Sequence, residues 1–260
     1  MRHLPLNPLR PLRYSSFGLA LTLLAGMPAD AQSDAPALSP IETAVGCAAR
    51  VSADDPSPQA IRVIGAQDSR ARALFGPRDL LVISGGTGAG VQLGQQFFVR
   101  RANRFGAPSD RRWQGVRTLG WIRVVAVNDS AAIATIDHIC DAIAQGDYLE
   151  PYTAPVVPAD SDRDLSSGDP DFTAMGKVLS GMEDHQTAGR GEFVLIDRGT
   201  DHGVKAGERY AIYRDVGIAG MPLASIGETV VLSVGKTMAL TRITRSIDAI
   251  LSGDYVAPRR

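Results

Sequence analysis

An internal repeat constrains the fold of this chain more than any other feature of its sequence. Residues 120–151 and 227–258 align without a gap at an offset of 107, and 12 of the 32 aligned positions are identical. The identities include an Asp-Ala-Ile and a Gly-Asp-Tyr tripeptide in each copy. Self-similarity at a fixed offset indicates two copies of one small structural unit.

The sequence before these segments repeats as well, at an offset of 113. Leu80-Leu-Val-Ile83 corresponds to Phe193-Val-Leu-Ile196. The glycines that follow keep their spacing, and they predict tight turns at Gly86, Gly90 and Gly94 in the first copy and at Gly199, Gly203 and Gly207 in the second. The first copy is longer by 113 − 107 = 6 residues, and the difference falls in an insert at 101–117.

The repeat also predicts the domain organisation and the fold class. We expect a first module at 59–152, a linker at 153–172 rich in Pro, Asp, Ser and Gly, and a second module at 173–258. Each copy contains several short β-branched segments bounded by Gly or Asn-Asp, which is typical of strands in a small barrel. We therefore predict a mainly β protein with two tandem small β-barrel modules, SH3-like or related.

A short helix is predicted in the N-terminal segment at 32–58. Ser39 occupies the N-cap position, Pro40 the first helical position and Glu42 the third, which is the pattern of a capping box. We expect the helix to run to about Arg50 and to carry Cys47.

The first 31 residues have the pattern of a cleavable export signal. Three arginines precede an apolar run at 17–27 that is too short to span a bilayer, and Ala29-Asp30-Ala31 fits a signal-peptidase site. We expect cleavage after Ala31 and a periplasmic or secreted mature chain without a transmembrane anchor.

Two cysteines, Cys47 and Cys140, would then enter an oxidising compartment. One disulfide between them is the simplest expectation, and two separate buried thiols are the alternative. Cys140 aligns with Ile247 of the second copy, which favours a buried, apolar position.

Each copy reads as an apolar strand, Gly-x-x-x-Gly-Val-x-x-Gly-x-x-[Phe/Tyr], a Gly-led hairpin and Ile-x-x-Gly-Asp-Tyr. This pattern resembles the small β-barrel repeats found beside LysM peptidoglycan-binding modules in bacterial envelope proteins. It also resembles the C-terminal domain of the flagellar assembly protein T. The resemblance implies scaffolding or envelope attachment rather than chemistry. No LysM module is recognisable in this sequence.

Patterns that carry chemistry elsewhere favour structural roles here. The segment 84–90 is rich in glycine but lacks the Gly-Lys-Ser/Thr of a phosphate-binding loop. The histidines of the predicted mature chain each follow an acid, and neighbours on a strand face opposite sides of the sheet. Asp147 and Asp254 recur in Gly-Asp-Tyr, where capping a turn is favoured over general acid–base work. We predict no catalytic residue, metal ligand or cofactor.

The insert of the first copy is the main candidate for an interface. It carries arginines and aromatic residues, the types favoured as interface anchors: Arg101, Arg104, Phe105, Arg111, Arg112 and Trp113. A solvated hairpin loop is the alternative.

Charge excludes one class of partner, because a formal net charge of −1 without a Lys/Arg run is not the pattern of a nucleic-acid-binding protein. The leading hypothesis is an exported, non-catalytic binding or scaffolding protein that contacts other envelope proteins, in envelope or flagellar-type assembly. The alternatives are a peptidoglycan-binding protein and a hydrolase with its site between the modules.

Overall fold

The computed structural model describes residues 38–49, 60–68, 72–105, 113–165, 167–181 and 185–260. The predicted signal peptide at 1–31 lies outside these ranges, as does much of the segment predicted at 32–58. In the described part of the chain, one α-helix, α1 (Pro40–Cys47), precedes sixteen strands.

The strands fall into two sets of eight. The first set is β1 (Val63–Ala66), β2 (Leu74–Phe75), β3 (Leu80–Ile83), β4 (Gln96–Phe105), β5 (Trp113–Val127), β6 (Ala132–Ile139), β7 (Ile143–Ala144) and β8 (Tyr148–Pro151). The second set is β9 (Gly176–Gly181), β10 (Thr187–Ala188), β11 (Phe193–Ile196), β12 (Arg209–Arg214), β13 (Ala224–Val234), β14 (Ala239–Ser246), β15 (Ile250–Leu251) and β16 (Tyr255–Pro258).

The two sets pair in the same order. β1-β3-β6-β5-β4-β8 form a six-stranded sheet, called the N-terminal sheet below. β9, β11, β14, β13, β12 and β16 close into a six-stranded barrel, called the C-terminal barrel. The outer strands β1 and β8 of the N-terminal sheet approach each other through an Arg62–Tyr148 bridge, and the Leu149 N–H donates to the Ile61 carbonyl at 2.8 Å. The prediction of a mainly β fold is confirmed.

Irregularities of strand pairing fall at equivalent positions in the two sets. The bulges lie between Val99 and Arg100, Trp121 and Ile122, and Val124 and Ala126 in the first set, and between Ile212 and Tyr213, Glu228 and Thr229, and Val231 and Ser233 in the second. These positions differ by the offsets of 113 and 107 read from the sequence. Since a bulge redirects the strand that carries it, both copies bend at the same places.

Helix α1 begins as its sequence predicts and ends earlier. The Glu42 N–H donates to Ser39 Oγ at 3.3 Å, and the Ser39 N–H donates to Glu42 Oε2 at 2.8 Å, which forms the capping box. The hydrogen bonds from Ser39 lower the pKa of Glu42. The helix ends at Cys47, because Ala48 is extended, with φ −61° and ψ 153°. Arg50, the predicted end, lies outside the described residues.

Each set of strands encloses its own apolar core, and equivalent positions fill the two cores. Ile83, Val99 and Ile143 are buried in the first, and Ile196, Ile212 and Ile250 in the second. A third apolar cluster lies outside both and involves α1; it positions the candidate site.

Candidate functional site

Helix α1 is fixed covalently to the N-terminal sheet. Cys47 near the helix end forms a disulfide with Cys140 after β6, with 5.5 Å between the Cα atoms. The predicted pairing is confirmed, and the alternative of two separate thiols is wrong. Thr118 Oγ1 donates to the Ala48 carbonyl at 2.9 Å. The chain that leaves the helix is therefore tied to β5 as well as to the end of β6.

The same segment packs against the C-terminal barrel. Ala48 and Ala49 are 3% and 6% exposed and belong to an apolar cluster with residues on the outer side of the barrel. The other buried members of the cluster are Leu179, Leu195, Val230, Leu232, Met238 and Leu240. We call α1, Ala48, Ala49 and this cluster the helix junction. It joins the two copies through one element.

Aromatic side chains surround the disulfide side of the N-terminal sheet. Trp121 stacks on His138 with 4.3 Å between ring centroids, and Phe98 lies 4.7 Å from Tyr152. Burial raises the pKa of the Tyr152 hydroxyl. Gly46 of α1 packs closely on this ring, since a Cβ added to it would lie only 3.3 Å from the Trp121 side chain. These contacts seat the helix on the sheet.

Charged residues occupy the same positions in the second copy. At the offset of 107, Glu228, Arg245 and Arg259 replace Trp121, His138 and Tyr152. Glu228 is buried, and its carboxylate accepts from Arg259 Nε at 2.9 Å and from Arg245 Nη2 at 3.3 Å. The hydrogen bonds to Glu228 raise the pKa of Arg259. The two copies thus share a backbone fold, but stacked rings occupy these three positions in the first copy and charged side chains occupy them in the second.

A clamp between arginine and aspartate is common to both copies. Arg101 binds Asp147 through Nε and Nη2, both at 2.8 Å, and Arg214 binds Asp254 through the same atoms at 2.9 and 2.7 Å. The hydrogen bonds to the aspartates raise the pKa of both arginines. Each aspartate also accepts a backbone N–H three residues before it, from Ala144 or Leu251. The recurrent acids therefore hold turns and strand ends together.

The predicted turn glycines occupy equivalent loops. Gly90 and Gly203 have φ of +79° and +77°, a region that disfavours other residues. Gly86 and Gly199 lie against the opposite hairpin, where a Cβ would come within 2.1 and 2.5 Å of backbone oxygens. The remaining pair, Gly94 and Gly207, has φ of +79° and +87°.

The structure describes only part of the predicted interface in the insert. Strands β4 and β5 extend through most of it and pair from Phe98–Trp121 to Phe105–Trp113. Arg101 is engaged with Asp147, and its side chain is 39% exposed. The side chains of Arg104, Phe105 and Trp113 are not described, and Arg111 and Arg112 lie outside the described residues.

The equivalent hairpin of the second copy exposes apolar side chains. Val216, Ile218 and Met221 are 47%, 61% and 58% exposed at the connection between β12 and β13. Residues 216–227 contain no charged side chain. We call residues 215–223 the apolar hairpin. Our sequence reasoning missed it, although an uncharged run between two predicted strands was a usable signal, since connections usually carry polar residues.

Cys47, Cys140 and His138 form the one group of potential metal ligands found among the described residues, with ligand atoms within 4.8 Å of one another. The two sulfurs are bonded to each other, so neither is a thiolate. The position equivalent to Cys140 is not buried in the second copy, because Ile247 is 71% exposed. The inference from Ile247 to a buried position is therefore wrong. Cys140 is half-buried and bonded to helix α1, and no α-helix precedes the second copy in the described segments.

The chain matches no protein-family model, and no curated protein matches it in sequence. Within the described ranges, no helix combines the length and apolarity needed to cross a bilayer.

Proposed function

We propose that this chain is an exported, non-catalytic scaffolding protein of the bacterial cell envelope, built from two tandem small SH3-like β-barrel modules and acting through protein–protein contacts. The export pattern of the first 31 residues and the resemblance of the repeat to envelope modules support the location. The pairing order and bulges that the two copies share support the tandem modules.

The helix junction is the observation that carries the proposal. A protein that only needed two independent modules would be served by a flexible linker. Here α1 is bonded to one copy by a disulfide, and Ala48 and Ala49 directly after it are buried against the other in an apolar cluster. A fixed separation and orientation of two binding surfaces raises the affinity for a partner that spans both.

The apolar hairpin supports a protein partner. Three exposed apolar side chains, on a connection whose residues 216–223 carry no charge, are the kind of surface that protein contacts bury. The hairpin of the first copy, with its arginines, differs in chemistry while extending from the same place in the fold. The two copies therefore present two different hairpins, which suits the joining of different partners.

Partner capture tests this proposal. The full chain with a C-terminal tag is expressed in its own host, crosslinked in cells and purified, and the retained proteins are identified. We expect an envelope protein in stoichiometric amount. Replacing both Ile218 and Met221 by aspartate is expected to lower its recovery about tenfold or more, because charged side chains cannot be buried in an apolar contact. The melting temperature is expected to change little, since both side chains are exposed.

A matched control uses another exposed apolar residue. Leu93, in a loop of the first copy, is 68% exposed, and Leu93→Asp is expected to leave capture unchanged. Equal loss in this control would remove the assignment to the apolar hairpin. Recovery of cell-wall glycan in place of protein would contradict protein–protein scaffolding and favour the polysaccharide-binding alternative.

A further inference from the structure

A polar cavity opens at one end of the C-terminal barrel. Its volume is about 510 Å³, within the range of small-molecule sites. Side chains from three parts of the second copy line it: Arg198 and His202 after β11, Glu208 and Tyr210 at β12, and Arg260 after β16. Strand pairing fixes the floor of the cavity, because Tyr210 pairs with Thr229 on one side and with Pro258 on the other.

Tyr210 lines this cavity, and charged groups of the cavity act on its hydroxyl. Tyr210 is 3% exposed, and burial raises its pKa to about 12. Glu208 adds to this shift, while Arg198 and Arg260 oppose it. One carboxylate and two guanidinium groups therefore act on the same phenol, which stays protonated and remains a hydrogen-bond donor at neutral pH.

Several of these groups keep free hydrogen-bonding capacity toward the cavity. His202 Nδ1 accepts from the Gly199 N–H at 3.2 Å, which leaves Nε2 as the donor. The guanidinium of Arg260 meets Asp171 through Nε at 3.2 Å. The guanidinium of Arg198 is engaged within the protein, because it donates to the Asp197 carbonyl at 2.9 Å and to the Met175 carbonyl. Among the described residues, no side chain forms an ion pair or hydrogen bond with the Glu208 carboxylate. An acid and a cation are thus both available to a ligand.

The first copy shows that the fold does not require these residues. The equivalent positions carry Gly85, Ala89, Gln95, Phe97 and Thr153, none of which is charged. Phe97 is 3% exposed, as is Tyr210. The fold therefore buries an aromatic ring at this position whether or not the ring carries a hydroxyl. The hydroxyl and the charged groups belong to the second copy alone, while the ring of Tyr210 is part of the core packing that the two copies share.

We propose that this cavity binds a small zwitterion, an amino acid or a short peptide with free ends. The ligand carboxylate meets the Nη atoms of Arg260, and its ammonium group meets the Glu208 carboxylate. The Tyr210 hydroxyl and His202 Nε2 donate to the remaining ligand oxygens. A ligand with only a carboxylate would leave Glu208 without a counterpart, which favours a molecule that also carries a cationic group. This site adds small-molecule recognition to a chain whose other surfaces suit proteins.

The test is titration of the ¹⁵N-labelled protein with alanyl-alanine, in both the all-L and the all-D form, followed by amide chemical shifts. We expect shifts at the amides of His202, Gly203, Tyr210 and Arg260, and none at Ala89 and Gly90 of the first copy. Alanyl-alanine acetylated at its N-terminus, or amidated at its C-terminus, is expected to bind at least about tenfold more weakly, because each loses one ion pair.

Two substitutions copy the first repeat and so preserve the fold. Tyr210→Phe and Glu208→Gln introduce the residues that the first copy carries at these positions. We expect each to weaken alanyl-alanine binding about tenfold, while Asp162→Asn, at an exposed acid elsewhere, leaves it unchanged. Absence of shifts with either peptide, or equal binding of the acetylated peptide, would overturn the zwitterion site. Partner capture by the apolar hairpin is independent of either result.

Discussion

Replacing Cys47 and Cys140 together by alanine is expected to lower the free energy of unfolding by about 4 kcal/mol. The disulfide joins residues separated by 93 positions, and a crosslink over a loop of that size removes much of the conformational entropy of the unfolded chain. The bond also holds α1 where Ala48 and Ala49 complete the apolar cluster against the barrel. Denaturant unfolding, followed by circular dichroism, measures the change.

Treatment of the wild-type protein and of the double variant with a reductant is the matched control for this prediction. Reducing the wild-type protein is expected to lower its stability by a similar amount, whereas the double variant should not respond to the same reductant. A loss below about 1 kcal/mol in the double variant would contradict a structural role for the disulfide, since removing a native disulfide typically costs 2–5 kcal/mol.

Arg259→Leu is expected to destabilise the C-terminal barrel by about 3 kcal/mol. The Glu228 side chain is 3% exposed, and Arg259 makes two hydrogen bonds to it, at 2.9 and 2.5 Å. Removing Arg259 leaves a buried carboxylate with Arg245 alone, and an uncompensated buried charge is strongly destabilising. Thermal or denaturant unfolding of the variant measures the effect.

Arg245→Leu is the control, because it removes the other arginine from the same carboxylate. The Arg245 side chain is 41% exposed and its contact with Glu228 is longer, at 3.3 Å, so we expect a loss of less than about 1 kcal/mol. Adding Glu228→Gln to Arg259→Leu is expected to restore part of the stability, since the buried charge is then gone. Equal losses in the two arginine variants would contradict this assignment of the charges.

The repeat could be predicted from the sequence because both copies contain the same bulges and tight turns. Gly120 and Gly227, for example, recur because a Cβ at either position would collide with a carbonyl oxygen of the next strand, 2.2 and 2.6 Å away. Because both copies have the same backbone conformation, the glycines that this conformation requires recur in both sequences. Each copy has eight strands, and those of two residues, such as Leu74–Phe75, could not be predicted because they leave no periodic signal.

Features that depend on the arrangement of the two copies could not be predicted from the sequence. Pairing of Cys47 with Cys140 followed from their number, but the packing of Ala48 against Leu240 of the barrel depends on where the second copy lies. The polar cavity was missed for a related reason. Arg198, Tyr210 and Arg260 are far apart in sequence and meet only through barrel closure. A comparison of the two copies at buried positions, Phe97 against Tyr210, was the signal that could have indicated it.

We expect the helix junction to hold the two copies as one rigid unit. Residual dipolar couplings of backbone amides, measured in a weakly aligned sample of the oxidised protein, test it directly. Alignment tensors are fitted separately to the N-terminal sheet and to the C-terminal barrel. Tensors that agree in magnitude and orientation are the expected result. Tensors of clearly different magnitude would show that the copies move independently, and would contradict a fixed scaffold.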